Sequence, residues 1–149
     1  MSCVLRIYGK KFNLDKFLTQ SSLKPSAVFR KGEPRIKDNP KWKKHLENGV
    51  NIGLSYESFD NLDGQIKDAI KFLKKNKKEL KRTIASKEIN GIWVLDFAIK
   101  RRDVAVQFEE FPQELLLLLG SLGITLQVSY YLLVDLREGN SLQKKDKSL

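Results

Sequence analysis

Any chemistry in this chain has to come from few side chains. Asp96 stands in the middle of an alternating run, Glu109, Glu110 and Glu114 lie close together, and there is one cysteine, Cys3, and one histidine, His45. An acid–base pair needs two titratable groups at a defined separation, and no histidine, nucleophile or further carboxylate accompanies Glu109 and Glu110 with such a relation. Glu114 is expected near a helix start for its favourable interaction with the helix dipole alone. Asp96 has two readings, a buried acid with a shifted pKa or an exposed residue on the polar side of a strand, and the alternation favours the exposed one. Cys3, in an apolar run, reads as a small hydrophobe rather than an activated thiolate. One cysteine and one histidine leave no cluster with zinc spacing, and Gly32 and Gly64 are isolated from any phosphate-cradling pattern. No metal, no cofactor and no catalytic residue is therefore expected, and an enzyme is the weakest class, open only if Asp96, Glu109 and His45 converge in space.

Charge is more informative. The 149 residues carry 28 Lys and Arg against 18 Asp and Glu, a formal net charge of +10. Such a balance favours encounters with nucleic acid, an anionic membrane or an acidic protein surface. Lys71, Lys74, Lys75, Lys77, Lys78, Lys81 and Arg82 fall on one helical segment and could track a phosphate backbone, although a solvated helix face accounts for them equally simply and is the commoner case. Lys41, Trp42, Lys43, Lys44 and His45 interleave a ring with cations, as a base-stacking site does, but a single Trp also serves to pack a loop onto the core, and that reading is preferred. By contrast residues 103–136 hold five acids and no Lys or Arg, so all 28 cations lie elsewhere. An acidic ledge at Glu109, Glu110 and Glu114 on a basic body would orient a protein partner; the plainer reading is that these acids solvate a hairpin and a helix end.

These residues need elements to hold them. Cys3, Leu5 and Ile7 alternate with Val4, Arg6 and Tyr8, a strand ended by Gly9. Asn13 caps a short helix through Leu14, Phe17 and Leu18. After a brief extended stretch at 27–29, residues 30–49 contain Gly32, Pro34 and Pro40 without a period and read as a long exposed loop. Residues 50–56 alternate again. From Leu62 to Ile84 apolar residues recur at helical spacing as one long helix with a lysine-rich outer face. Residues 93–99 and 104–108 both alternate and read as a hairpin, 111–122 as a helix opened by Pro112, and 124–136 as a final, largely buried strand. Residues 138–149 are polar and expected to be a disordered tail after a single domain over 1–137. The order predicts an α+β fold, a ferredoxin-like sandwich with a mainly antiparallel sheet and two long helices on one face.

The length and the 41% hydrophobic content suit one ordinary core. The apolar run at 115–119 falls short of the about 20 residues a membrane span needs, so no membrane insertion is expected. The first nine residues lack the order of an export signal, and one cysteine fits a reducing compartment, which points to a cytoplasmic protein.

The strand ending in Gly9, Lys24-Pro25-Ser26, Arg30-Lys31-Gly32-Glu33-Pro34, Phe111-Pro112-Gln113-Glu114-Leu115 and Leu122-Gly123-Ile124 together resemble the bacterial family called domain of unknown function 4279. The resemblance spans nearly the whole chain before the tail, carries no catalytic residues, and implies a small bacterial cytoplasmic protein of a type that often includes toxin-immunity proteins. The expected function is thus a non-catalytic binding protein that neutralises a toxin by direct contact, with Glu109, Glu110, Glu114 and Trp42 binding the partner. The alternative is nucleic-acid binding through Lys71, Lys74, Lys75, Lys78, Lys81 and Arg82.

Overall fold

A computed structural model describes residues 1–133. Its central strand is β1 (Cys3–Gly9), whose alternation sends Cys3, Leu5 and Ile7 into the core and Val4, Arg6 and Tyr8 to the opposite face. β3 (Asn48–Ser55) pairs antiparallel with one side of β1, placing Ile52 across from Leu5 and Val50 across from Ile7. β4 (Ile92–Lys100) pairs antiparallel with the other side, placing Leu95 across from Leu5. A three-residue edge strand, β2 (Ala27–Phe29), lies outside β3, and β5 (Thr125–Tyr131) runs parallel to β4 as the other edge, giving the order β2-β3-β1-β4-β5.

Four helices bury their apolar sides in the core built on the Cys3, Leu5 and Ile7 face. α1 (Leu14–Gln20) starts where Lys16 N donates to Asn13 Oδ1 at 3.1 Å, and α2 (Leu62–Lys75) where Gly64 N donates to Asn61 Oδ1 at 2.9 Å. α3 (Lys77–Ala85) follows directly, and α4 (Gln113–Leu122) stops at Gly123, whose φ of 76° provides the left-handed cap. Leu73, Leu80 and Leu115 are fully buried among them, each contributing about 1.5–3 kcal/mol relative to exposure. The described residues therefore form a mixed α/β fold with a five-stranded, mostly antiparallel sheet and four helices.

Three expectations are corrected. The long helix over residues 62–84 is two helices, because Asn76 leaves helical geometry (φ −104°, ψ 12°) and its Nδ2 donates to Phe72 O at 2.9 Å, capturing a carbonyl of the last turn. The hairpin does not form: both sides of β4 are occupied by β1 and β5, so residues 101–112 cross irregularly with Val104, Val106 and Phe108 54%, 74% and 71% exposed. The amide of Gln107 ties this crossing down, accepting from Arg102 N at 2.9 Å and donating to Lys100 O at 3.0 Å. The last strand is a half-exposed edge rather than a buried centre. Residues 134–149, where the domain end at 137 and the tail were expected, lie outside the described residues.

Candidate functional site

Among the described residues every helix lies on one face; the other face carries no helix, and its centre sets the polar residues Arg6, Asn51 and Asp96 among the buried apolar Val4, Val94 and Ala98. Asp96 of β4 lies beside Gln127 and Ser129 of β5, and Arg6 of β1 lies beside Asn51 of β3. Arg6 Nη2 donates to Asp96 Oδ2 at 2.9 Å and Ser129 Oγ donates to Asp96 Oδ1 at 2.8 Å. Asp96 is only 3% exposed, which corrects the exposed reading: its face was placed properly, but Arg6 and Ser129 close over it. Arg6, 37% exposed, continues past the carboxylate, and its Nε is buried without a hydrogen-bond partner, as is Asn51 Oδ1. One unmet donor and one unmet acceptor thus flank the same surface. Each such group costs about 1–3 kcal/mol until something bonds it.

That surface is concave because residues 30–47 are folded into a wall. Gly32 N donates to His45 O and His45 N to Glu33 O, both at 2.8 Å, and Arg35 N to Lys43 O at 2.9 Å, so the long exposed loop expected here is a pinned excursion. Its base is held by the His45 ring stacked on Phe29, centroids 4.5 Å apart and planes 20° from parallel. Phe29 lies so close over Gly49 that a Cβ there would meet the ring at 2.3 Å, so a larger residue would displace the ring from its place beside His45. The resulting groove of about 630 Å³ is lined by Arg6, Tyr8, Asn51 and Asp96 on its floor and by Arg35 and His45 on its wall. Trp42 sits at the tip of the excursion, 51% exposed, and does not pack the loop onto the core as expected.

The acidic ledge is distributed differently. Glu114 forms an ion pair with Lys74 across α4 and α2. Glu109 is partly buried, accepts from Gln107 Nε2 at 2.9 Å and faces Arg102 at 3.7 Å. Glu110 is exposed, has no ion-pair partner among the described residues, and lines a cleft of about 720 Å³ with Ile66 and Lys67 of α2. Of the cationic candidates, Lys74 is held by Glu114 and Arg82 by Glu79, and Arg82 Nη2 also donates to Gln20 O at 2.6 Å. Lys71, Lys75, Lys78 and Lys81 are exposed without an ion pair among the described residues, on a surface bent at Asn76.

The remaining titratable candidates stand apart. Burial pushes the Cys3 thiol well above the usual cysteine range, and the charges of Asp96 and Asp68 add to the shift. His45 and Asp96 line the same groove, but Glu109 lies with Arg102 at the crossing after β4, so the three do not form one site. Among the described residues no three His, Cys, Asp or Glu side chains gather as metal ligands, and no helix is long and apolar enough to cross a membrane.

Reasoning from the sequence missed Arg6, Asn51 and Ser129. A signal was present: Arg6 and Asp96 are a cation and an acid in the middle of two apolar alternating runs, each on the off-core side, which is the pattern of a cross-strand pair. Nothing in the sequence marks Asn51 or Ser129.

No curated protein and no solved structure matches the chain. A family model described as Domain of unknown function (DUF4279) matches residues 1–133, the same span the structure describes, and the chain belongs to that family.

Proposed function

We propose that the chain is a non-catalytic binding protein that holds a protein partner against the bare face of its sheet, and in the narrower reading an immunity protein that occludes a bacterial toxin domain in the cytoplasm. The observation that carries the proposal is the groove floor, where Arg6 Nε and Asn51 Oδ1 are buried without partners beneath an open concavity. A small turn of the Arg6 and Asn51 side chains would offer both groups to a bound segment, and Arg, Tyr and Trp are the side chains that most often anchor interfaces. Arg6 and Tyr8 on the floor, Arg35 on the wall and Trp42 at its tip supply that set. Lys10 and Arg35 line the groove with Glu47 as the opposing charge, so the fitting partner surface is acidic. A net charge of +10 is then suited to the contact. Of the three acids first considered, Glu110 remains free to contribute, whereas Glu109 and Glu114 are engaged within the chain.

A ferredoxin-like kinship belongs to the same proposal. The path β3, α2, α3, β4 brackets β1 as a split β–α–β unit, which supports it, and the parallel edge β5 is an addition to that plan.

A second reading, nucleic-acid binding, is favoured by Lys71, Lys75, Lys77, Lys78 and Lys81, which are exposed and without an ion pair among the described residues. One experiment separates the two. The tagged chain is used to capture partners from the source cells with and without nuclease. A protein retained after nuclease treatment, lost with Arg35→Glu/Leu46→Glu at two exposed residues of the groove wall, supports the groove. A signal abolished by nuclease, with affinity falling steeply as salt rises, supports the lysine surface.

A further inference from the structure

The two edges of the sheet are built differently. β2 is three residues long and leads straight into the folded excursion at 30–47, which is how natural proteins blunt an edge. β5 is seven residues long, pairs with β4 without a register shift, and contains no Lys, Arg, Asp, Glu or Pro. In a parallel pair the residues of one strand alternate between bonding the neighbour and pointing their N–H and C=O outward. Arg101 N donates to Tyr131 O at 2.8 Å, so Thr125, Gln127, Ser129 and Tyr131 face β4. The backbone groups of Leu126, Val128 and Tyr130 therefore point out from the edge. Their side chains lie on the core face, where Leu126 and Val128 are half-buried and Tyr130 is 50% exposed.

From this geometry we infer that β5 pairs antiparallel with β5 of a second copy of the chain, joining two sheets into one about a two-fold axis at Val128. In that register Val128 faces Val128 of the other copy and Leu126 faces Tyr130. All three outward-pointing residues then form hydrogen-bonded pairs, about six bonds in total. The half-exposed side chains of one edge cover those of the other, as an isologous contact requires. Charge selects this occupant. Two copies of a +10 chain carry like net charge, and β5 lies in residues 103–136, the longest stretch of the sequence without a Lys or Arg. Meeting there, a strand with no charged side chain opposes itself without a like-charge clash. The groove on the opposite face runs from the 30–47 wall across Arg6 and Asn51 to Gln127 and Ser129 of β5, so in the dimer the grooves of the two copies would approach each other at the seam.

Sedimentation velocity of the full chain over a concentration series reaching high micromolar is expected to show a monomer–dimer equilibrium. Tyr130→Lys puts like charges near the seam at a half-exposed position and should leave monomer throughout, with an unchanged far-UV circular dichroism spectrum. Val128→Pro removes an outward N–H without touching the β4 ladder and should act the same way if the first variant misfolds. Val128→Cys fixes the register. The paired Cα atoms would be about 5.5 Å apart, within disulfide reach, so mild oxidation should give a covalent dimer. Gln127→Cys, facing Ser129 of the other copy with its own counterpart about 7–8 Å off on the diagonal, should not. Cys3 is buried and does not compete. A chain monomeric at all concentrations, a dimer that survives both edge variants, or cross-linking at 127 in preference to 128 would each overturn the assignment.

Discussion

A carboxylate that is 3% exposed in the middle of a sheet persists only where donors reach both of its oxygens, and Asp96 has one on each, from Arg6 and from Ser129. Removing it leaves a cation and a hydroxyl facing each other without an acceptor. Because Arg6 is 37% exposed and can turn toward water, the expected cost of Asp96→Ala is about 2–3 kcal/mol, below the range for a fully buried pair. Urea denaturation of the two proteins measures it, and a difference under about 0.5 kcal/mol, the size of an ordinary surface change, would show that the pair is not structural. The alternation in the sequence assigns Asp96 to the face opposite Trp93, Leu95 and Phe97. Its burial was not legible, because it depends on Arg6, 90 residues away, and Ser129, 33 residues away. The inertness of Cys3 was legible, since an apolar strand without a nearby base already disfavours a thiolate.

At the scale of elements, α3 is fastened to the end of α1 by one carboxylate. Glu79 Oε1 accepts from Ser22 N at 2.8 Å and from Arg82 Nη2 at 2.7 Å. The Arg82 hydrogen bond is the main cause that lowers its pKa from 4.5 to about 2. A carboxylate whose folded-state pKa is depressed adds stability that is fully present above its unfolded value and is lost as the pH falls toward the folded one. The contribution of Glu79 should therefore be whole above pH 4.5 and disappear by about pH 2. Glu79→Gln should flatten unfolding free energy against pH across that window, and an unchanged slope would show that the clamp does not form in solution. Strand and helix periods located most elements correctly. The failures share one cause: the sequence does not say which edges are already taken. Val104, Val106 and Phe108 alternate as a strand does, yet α4 carries the chain over so that β5, and not residues 104–108, occupies the free side of β4. Asn76 broke the long helix through a side-chain hydrogen bond that helical periodicity does not encode.

At the scale of the molecule, the helices cover one face of the sheet and leave the other to a groove with two unmet polar atoms. The charge segregation was fully legible, because it is a property of the sequence. The groove was not, since it needs β1, β3, β4, β5 and the 30–47 excursion brought together from across the chain. The measurement that tests the central claim most directly is calorimetric titration of the nuclease-resistant protein partner into the native chain and into Arg35→Glu/Leu46→Glu. Both substituted side chains are exposed in the groove wall and neither supports the core. Truncations at interface anchors cost about 2 kcal/mol or more, and the charge reversal adds repulsion from an acidic partner. Binding to the native chain with a loss of at least about 30-fold in the variant is the predicted result. Equal affinity for the two proteins would place the partner elsewhere and contradict the assignment of the groove as the binding site.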